Sequence, residues 1–477
     1  MSRAKLFIEN FIAYGFINVL NKIVPLLLLP VVTRLLPDTS AFGIFDMFSI
    51  IVGFATPLAI LGLYDAMFRE YFEKDDQQYK YDVTTTTQRI ILASSTVLTI
   101  ILILFNSLFS KLFFGTQEHK DIIVYSAIAV IFSANLTPIQ GPTRMLNRRK
   151  VFVISGLVGS VGNYLIAILM ISLGYSYYAL IYASIFINII MVLFFWIQNK
   201  QFFLKGKFDK KIAKELFKIG LPLVPTFVIY WVYNSMDRIM ITNFLGTSEL
   251  GIYAIGARIA YISHLVYTAF AGGWQYFAFS TMKDEDQVDL ISRVFEYLGV
   301  ISFAFFLLIL PFNQLIFNLL FEGDYTKGSI VFPYLFLSPL LLMLFQTAGN
   351  QFLVIKKSYL STLSLSIGAG LNVLLNYVLI PRIGIVGASM ATLIGYVTSV
   401  IIVVLITQKM KLFKIKFRFI ASSVLVFLNV IIMQLKLYNI YVTSFLFLVI
   451  IILMYLKDIK LLATKFRKQL KNQKTAV

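Results

Sequence analysis

About fourteen stretches of this chain are apolar for long enough to cross a bilayer, and the positive charge between them falls in alternate gaps. The stretches lie near 9–33, 42–66, 88–110, 121–143, 151–173, 177–198, 218–243, 250–275, 295–320, 329–353, 359–380, 384–407, 417–435 and 438–456. They occupy well over half of the 477 residues and leave no room for a second, soluble domain. The chain is 59% hydrophobic and 14% charged, against roughly 45–50% and about 25% in soluble proteins. The expected fold class is an all-α polytopic membrane protein. No A-x-A-like cleavage site follows a short apolar core near the start, so the first stretch reads as a membrane helix and not as a cleaved signal.

The net charge of +19 is a topology signal. Thirty-three of the 42 Lys and Arg sit at the N-terminus, after the last span, or in or within two residues of every second gap. Cytoplasmic loops retain Lys and Arg, which places both termini in the cytoplasm. Anionic lipid favours the same side, so the basic excess needs no nucleic-acid partner. Cysteine is absent and histidine occurs twice, which excludes disulfides and thiolate chemistry and disfavours a multi-histidine metal site. No metal and no cofactor is expected.

The gaps are short, and the longest, about 20 residues each, fall on the cytoplasmic side. The gap 199–217 carries Lys200, Lys205, Lys207, Lys210, Lys211 and Lys214 and reads as a basic cytoplasmic linker between halves. An internal repeat supports that division. TRLLPDTSAFGIF (33–45) resembles TNFLGTSELGIY (242–253) with one residue deleted. Both copies join the first and second helices of a six-helix half, and six intervening spans give them the same orientation, as in parallel-repeat transporters. The expected organisation is 1–198 and 218–407 as two six-helix bundles around a central cavity, then 408–477 as two further helices with a basic tail. Pro25 and Pro30, and Pro222 and Pro225, fall in the first helix of each half, where they predict bends.

Ionisable groups at membrane depth are costly and mark function by default. Lys22 lies mid-span, with Asn18 four residues before it on the same helix face. Asp237 and Arg238 fall near the outer end of the seventh span, and Arg258 in the first half of the eighth. Arg34 sits at the outer mouth of the first. This cation-rich set predicts a cavity for an anion, since Arg binds phosphate bidentately and Lys acts as a point charge. Asp46, with Asp237, is the candidate for ion coupling. Asp65 and Arg69 are spaced for an ordinary helix ion pair, and His264 reads as a packing residue.

Enzyme signatures are missing: no G-x-x-x-x-G-K-[ST], H-E-x-x-H or G-x-S-x-G occurs. Gly156, Gly159 and Gly162 form a stripe suited to close helix packing, and Asp284, Glu285 and Asp286 form a solvated charge run.

Three segments carry a family likeness. NSMDRIMITNFLG (234–246), followed by GIYA (251–254), is similar to the D-R-x-x-I-x-x-F-L-G…G-x-Y segment of polysaccharide-export membrane proteins. LNYVLIPRIGIVGASMAT (375–392) is similar to their L-N-x-x-L-I-P-x-x-G-x-x-G-A-A-x-A-T segment, and 33–45 is a third match. The chain resembles the Wzx-type lipid-linked oligosaccharide flippases, in the superfamily that includes the multidrug and toxin extruders. The resemblance implies two six-helix bundles about a cavity and a non-enzymatic role: moving undecaprenyl-pyrophosphate-linked repeat units from the inner to the outer leaflet of a bacterial cytoplasmic membrane for O-antigen or capsule assembly. Its implied partners are the lipid-linked glycan, the bilayer, and glycan polymerase and chain-length proteins. On burial and charge, Lys22, Arg34, Arg238 and Arg258 are the candidates for the anionic head. Asn18, Tyr230, Trp231, Tyr233 and Trp274 are the candidates for sugar contact. The competing reading is an ion-coupled extruder of organic cations with the same fold, which would want acids in the cavity.

Overall fold

The computed structural model describes residues 23–267, 281, 284–435 and 437–474. The described chain is helical and holds no strand. In order the helices are α1 (Ile23–Leu35), α2 (Thr39–Ile60), α3 (Leu63–Tyr71), α4 (Gln77–Leu104), α5 (Asn106–Phe114), α6 (Lys120–Met145), α7 (Arg149–Ser172), α8 (Tyr178–Leu204), α9 (Lys210–Gly220), α10 (Val224–Leu245) and α11 (Thr247–Ala260). Then follow α12 (Gln287–Ile309), α13 (Asn313–Leu320), α14 (Phe332–Val354), α15 (Tyr359–Lys409), α16 (Phe417–Gln434) and α17 (Ile440–Lys474).

Among the described residues, eleven helices are long and apolar enough to cross a membrane. α15 is one of them at 51 residues, about 77 Å at 1.5 Å per residue and more than twice a hydrocarbon core of roughly 30 Å. It breaks where the two expected spans meet: Gly384 takes φ 65° and ψ −148°, a region open to glycine. Counting α15 twice, with the apolar stretch that ends in α1 and the one that begins in α11, is consistent with the expected fourteen. Apolar side chains cover the outer faces, with Leu104, Ile197 and Leu204 each about 70% exposed, as lipid contact requires. The chain is an all-α, multi-pass membrane protein.

The helices form two compact units. One holds the described residues up to Leu265 with Phe317–Val331 and Ala369–Gly395. The other holds Val266–Ile316, Phe332–Gly368 and the chain from Tyr396 onward. These units follow packing; the halves expected from the internal repeat, 1–198 and 218–407, divide the chain on a different criterion.

In the first unit the two repeat copies pack on each other. A Cβ at Gly43 would collide with the Thr247 carbonyl, and one at Gly251 with the Thr39 carbonyl. Each glycine thus meets the carbonyl four residues before its counterpart, and Thr39 Oγ1 lies 2.5 Å from Ser248 Oγ. α2 and α11 cross at repeat-equivalent points.

The basic gap is not a free linker. Asp209 caps α9 by accepting from Lys211 N at 2.6 Å and Ile212 N at 3.3 Å. The helix buries Ile212, Ala213 and Leu216 and turns its lysines outward. The segment before it is tied to α4: Lys207 N donates to Asp82 Oδ1 at 2.7 Å, Asp209 N to Thr86 Oγ1 at 3.0 Å. Pro222 lies in the 3-10 turn 221–223 and Pro225 in the first turn of α10. Both fall where α9 passes through that turn into α10, at positions where an N–H is not needed. The expected Asp65–Arg69 pair does not form; Arg69 reaches Glu70 instead, at 3.8 Å.

In the second unit, buried Glu296 on α12 meets Arg418 Nε, Lys416 Nζ at 3.1 Å and Tyr455 Oη at 3.1 Å. Arg418 also pairs with Asp458, which accepts from Tyr297 Oη at 3.2 Å. α12, α16 and α17 are clasped through this network.

Candidate functional site

Asp46 on α2, Arg238 on α10 and Arg258 on α11 converge in the first unit. Asp46 is 6% exposed. Its Oδ2 lies 3.2 Å from Arg238 Nε and its Oδ1 3.5 Å from Arg258 Nη2. The Arg238 Nε–Asp46 Oδ2 approach is at ion-pair distance but lacks hydrogen-bond alignment. Arg238 Nη1 donates to the Asn234 carbonyl at 2.9 Å, one helical turn back. Arg258 Nη1 donates to Tyr164 Oη at 3.4 Å, and its guanidinium stacks over Phe42 at 4.6 Å from the ring centre. That cation–π contact offsets part of its desolvation.

Asp237 is held apart from this trio. Its Oδ2 accepts from Tyr253 Oη, and its Oδ1 from Arg238 N at 2.8 Å. Tyr253 is repeat-equivalent to Phe45, so the hydroxyl that anchors Asp237 is a difference between two otherwise similar segments.

Both arginines open onto a cavity of about 480 Å³. Its other walls are Pro25, Leu26 and Leu29 of α1, with Tyr261 and His264 beyond α11. Among the described residues no acid lines it; Asp46 stands behind the guanidinium groups. Two cations therefore face an apolar-walled space with one shared carboxylate at their backs. Such a wall can take an anion with paired N–H donors.

The expected site residues divide. Arg238 and Arg258 come together. Lys22, Asn18 and Trp274 lie outside the described residues. Arg34 is absent from the cavity lining and forms a surface ion pair with Glu322 at 3.0 Å. Asp46 and Asp237 are both near, engaged with arginine and tyrosine. The aromatic expectations do not gather at the cavity. Trp231 donates from Nε1 to the Ile50 carbonyl at 3.3 Å and packs on Phe54. Tyr233 is buried, and Tyr230 is half-exposed without lining the cavity. Trp231 and Tyr233 sit on α10 faces that serve packing, which one-dimensional proximity to Arg238 does not reveal. Reading the sequence alone missed Tyr164, Tyr253 and Tyr261. Tyr253 had a signal, as the hydroxylated member of the repeat pair; Tyr164 had none, because 94 residues separate it from Arg258.

The segment 375–392 proves to be a clasp. Gly384 makes the break, and Gly387 packs where a Cβ would meet the Leu379 carbonyl, at 2.6 Å. Buried Asn376 donates to Asn372, which donates to Thr392 across the break, each at 3.2 Å.

Comparison with known proteins fits this picture. Residues 31–328 match the family model described as polysaccharide biosynthesis protein. A probable low-salt glycan biosynthesis flippase of Haloferax volcanii is 25% identical over 370 residues, covering 76% of this chain and 75% of that one. An uncharacterized membrane protein of Methanocaldococcus jannaschii is 25% identical over 280 residues, which span 57% of this chain and only 54% of that protein's length. Among solved structures, a lipid II flippase in an inward closed conformation superposes with a TM-score of 0.71 at 15% identity, covering 94% of this chain and 100% of that one. An inward-facing multidrug resistance transporter gives 0.62 at 14%, covering 83% and 94%. The fold is shared with both. The chain belongs to the polysaccharide biosynthesis protein family.

Proposed function

We propose that this member of the polysaccharide biosynthesis family is a flippase that carries a polyprenyl-diphosphate-linked oligosaccharide across the membrane. The reading from the sequence names undecaprenyl as the lipid, a bacterial cytoplasmic membrane as the site, and alternating access as the cycle. One observation carries the proposal: Arg238 and Arg258 face one apolar-walled cavity with a shared carboxylate behind them. The diphosphate would take the open guanidinium N–H groups. Asp46 would serve as the resident counter-ion, holding the arginines when the substrate has left and yielding part of their charge when it arrives. A coupling cation held by Asp46 would strengthen the pull on the anion, which is the form ion coupling would take here. Lys22 remains a third candidate cation on sequence grounds.

The organic-cation reading fares worse. It needs an available acid, and Asp46 and Asp237 are committed to Arg238, Arg258 and Tyr253.

The test is leaflet exchange of a fluorescent undecaprenyl-diphosphate oligosaccharide in proteoliposomes, for wild type and Arg238→Ala. Exchange that requires the protein and falls in the variant is expected. Uptake of a small organic cation without lipid exchange would overturn the proposal.

A further inference from the structure

A second cavity, of about 540 Å³, lies in the same unit among α6, α7 and α8. That volume is within the range of small-molecule sites, about 300–1,000 Å³. Its lining differs in kind from that of the arginine cavity. Among the described residues no charged one takes part. Three carboxamides face it from three helices: Gln140 on α6, Asn163 on α7 and Asn188 on α8. Ser155, Ser160 and Ser184 add hydroxyls, and Phe152 and Phe195 add aromatic surface.

The α7 contribution is one continuous face. Ser155, Gly156, Gly159, Ser160 and Asn163 follow the three-and-four spacing of a helix stripe, while Ile154, Val158 and Leu165 on the other side are exposed. The glycines still allow close packing, since a Cβ at Gly162 would meet Ile187 Cδ1 at 3.2 Å. Packing alone does not need the amides between them. Polar side chains at membrane depth face a bundle interior or a water-filled cavity. Asn163 Oδ1 is buried without a hydrogen-bond partner, and an unsatisfied group of that kind calls for an explanation.

The two cavities adjoin. Pro25 lines both, and Tyr164, in the wall of the neutral one, accepts the hydrogen bond from Arg258 of the cationic one. Resting on the flippase reading above, we propose that the neutral cavity is the glycan subsite: the arginines hold the diphosphate while the carboxamides and hydroxyls of α6–α8 hold the first sugars attached to it. Amides and hydroxyls match the alternating donors and acceptors of a sugar, and an aromatic ring offers a face to its C–H surface. A bare anion would want a charged wall.

The natural chain has no cysteine, so single thiols can report on each cavity in nanodiscs. Ser160→Cys and Ser184→Cys place one in the neutral cavity, Leu26→Cys one in the cationic cavity. The probes are undecaprenyl diphosphate and the total lipid-linked oligosaccharide fraction of the cells that make this protein. Both probes should slow maleimide labelling of Leu26→Cys at least fivefold. Only the glycosylated fraction should slow Ser160→Cys and Ser184→Cys, and Asn163→Leu should weaken that protection about tenfold without changing protection of Leu26→Cys. Protection of Leu26→Cys alone, protection of the neutral-cavity thiols by the bare diphosphate, or thiols there that never label would each overturn the glycan subsite while sparing the flippase reading. Failure of either probe to protect Leu26→Cys would instead remove the reading beneath it.

Discussion

Two charge clusters stand in the two units, built from the same residue types and wired in opposite ways. Around Glu296 both acids and the arginine are hydrogen-bonded: Arg418 donates to Glu296 and Asp458, Tyr455 and Tyr297 donate to those same acids, and Lys416 adds an ion pair to Glu296, although this cluster too borders a cavity, of about 520 Å³. Around Asp46 the pairing is looser. Its contacts to Arg238 and Arg258 are 3.2 and 3.5 Å, one of them unaligned, and both guanidinium groups face a cavity. A saturated network fixes helices against one another. An unsaturated one keeps binding capacity in reserve, at a cost in stability that a bound anion would offset. Buried charge by itself does not tell the two apart; the count of unspent hydrogen bonds does.

Breaking the saturated cluster should have the largest effect on stability. Arg418→Met leaves Glu296 and Asp458 without their shared donor, at a cost of about 3 kcal/mol, the low end for a buried pair because Lys416 remains. Chemical unfolding in detergent measures this, and exchange per folded molecule should be unchanged. A variant as stable as wild type would end the contrast between the clusters. Arg258→Gln should do the reverse. Loss of a charge-assisted contact to the substrate should slow leaflet exchange about 100-fold, equivalent to roughly 2.7 kcal/mol, while Asp46 keeps Arg238 and the stability cost stays below that of Arg418→Met, because the pairing lost within the protein is a single 3.5 Å contact.

Gly251→Ala tests the scaffold that brings Asp46 to Arg258. Its methyl would strike the Thr39 carbonyl, and overpacking of this kind costs about 1–3 kcal/mol. Gly53→Ala on the same α2 meets nothing within 4 Å and should be neutral or slightly stabilising. Equal melting temperatures for the two variants would rule out the close crossing. The smallest effect concerns His119, in the loop before α6 and away from both clusters. Burial, with the Phe114 ring 4.4 Å away, holds its imidazole below the ordinary histidine range, against the opposing pull of Asp121 and Glu118. The neutral form is the one the fold prefers. Stability is therefore complete above the usual histidine value of about 6.5 and declines as pH falls through it toward the depressed folded value. His119→Phe should flatten that part of a melting-temperature profile between about pH 7.5 and 5.5.

Two of the family-like segments show how far motifs can be read. The stretch 234–246 does reach the candidate site, through Asn234, Asp237 and Arg238. The stretch 375–392 looks equally specific, yet its residues build a helix break and a buried Asn–Asn–Thr clasp. Both strings call for fixed side chains at fixed spacings, and spacing does not say whether a partner is a substrate or another helix. The neutral cavity was less legible still. The glycine stripe on α7 was visible, but Gln140, Asn163 and Asn188 are scattered over 49 residues and become a group only when three helices pack.

What the sequence by itself determined is the solvent and the repeat. Apolar runs of span length demand a bilayer, because backbone groups in hydrocarbon must pair within a helix. The Thr-Ser and Gly positions of 33–45 and 242–253 announced two copies of one turn. Tertiary structure alone decided that the copies cross at Gly43 and Gly251, that Asp46 stands behind Arg238 and Arg258, and that Trp231 and Tyr233 pack away from the cavity. Those choices depend on which face of each helix meets which neighbour over separations of up to about 200 residues. A few degrees of helix rotation, set by the summed packing of many side chains, decide whether a given residue faces lipid, protein or substrate.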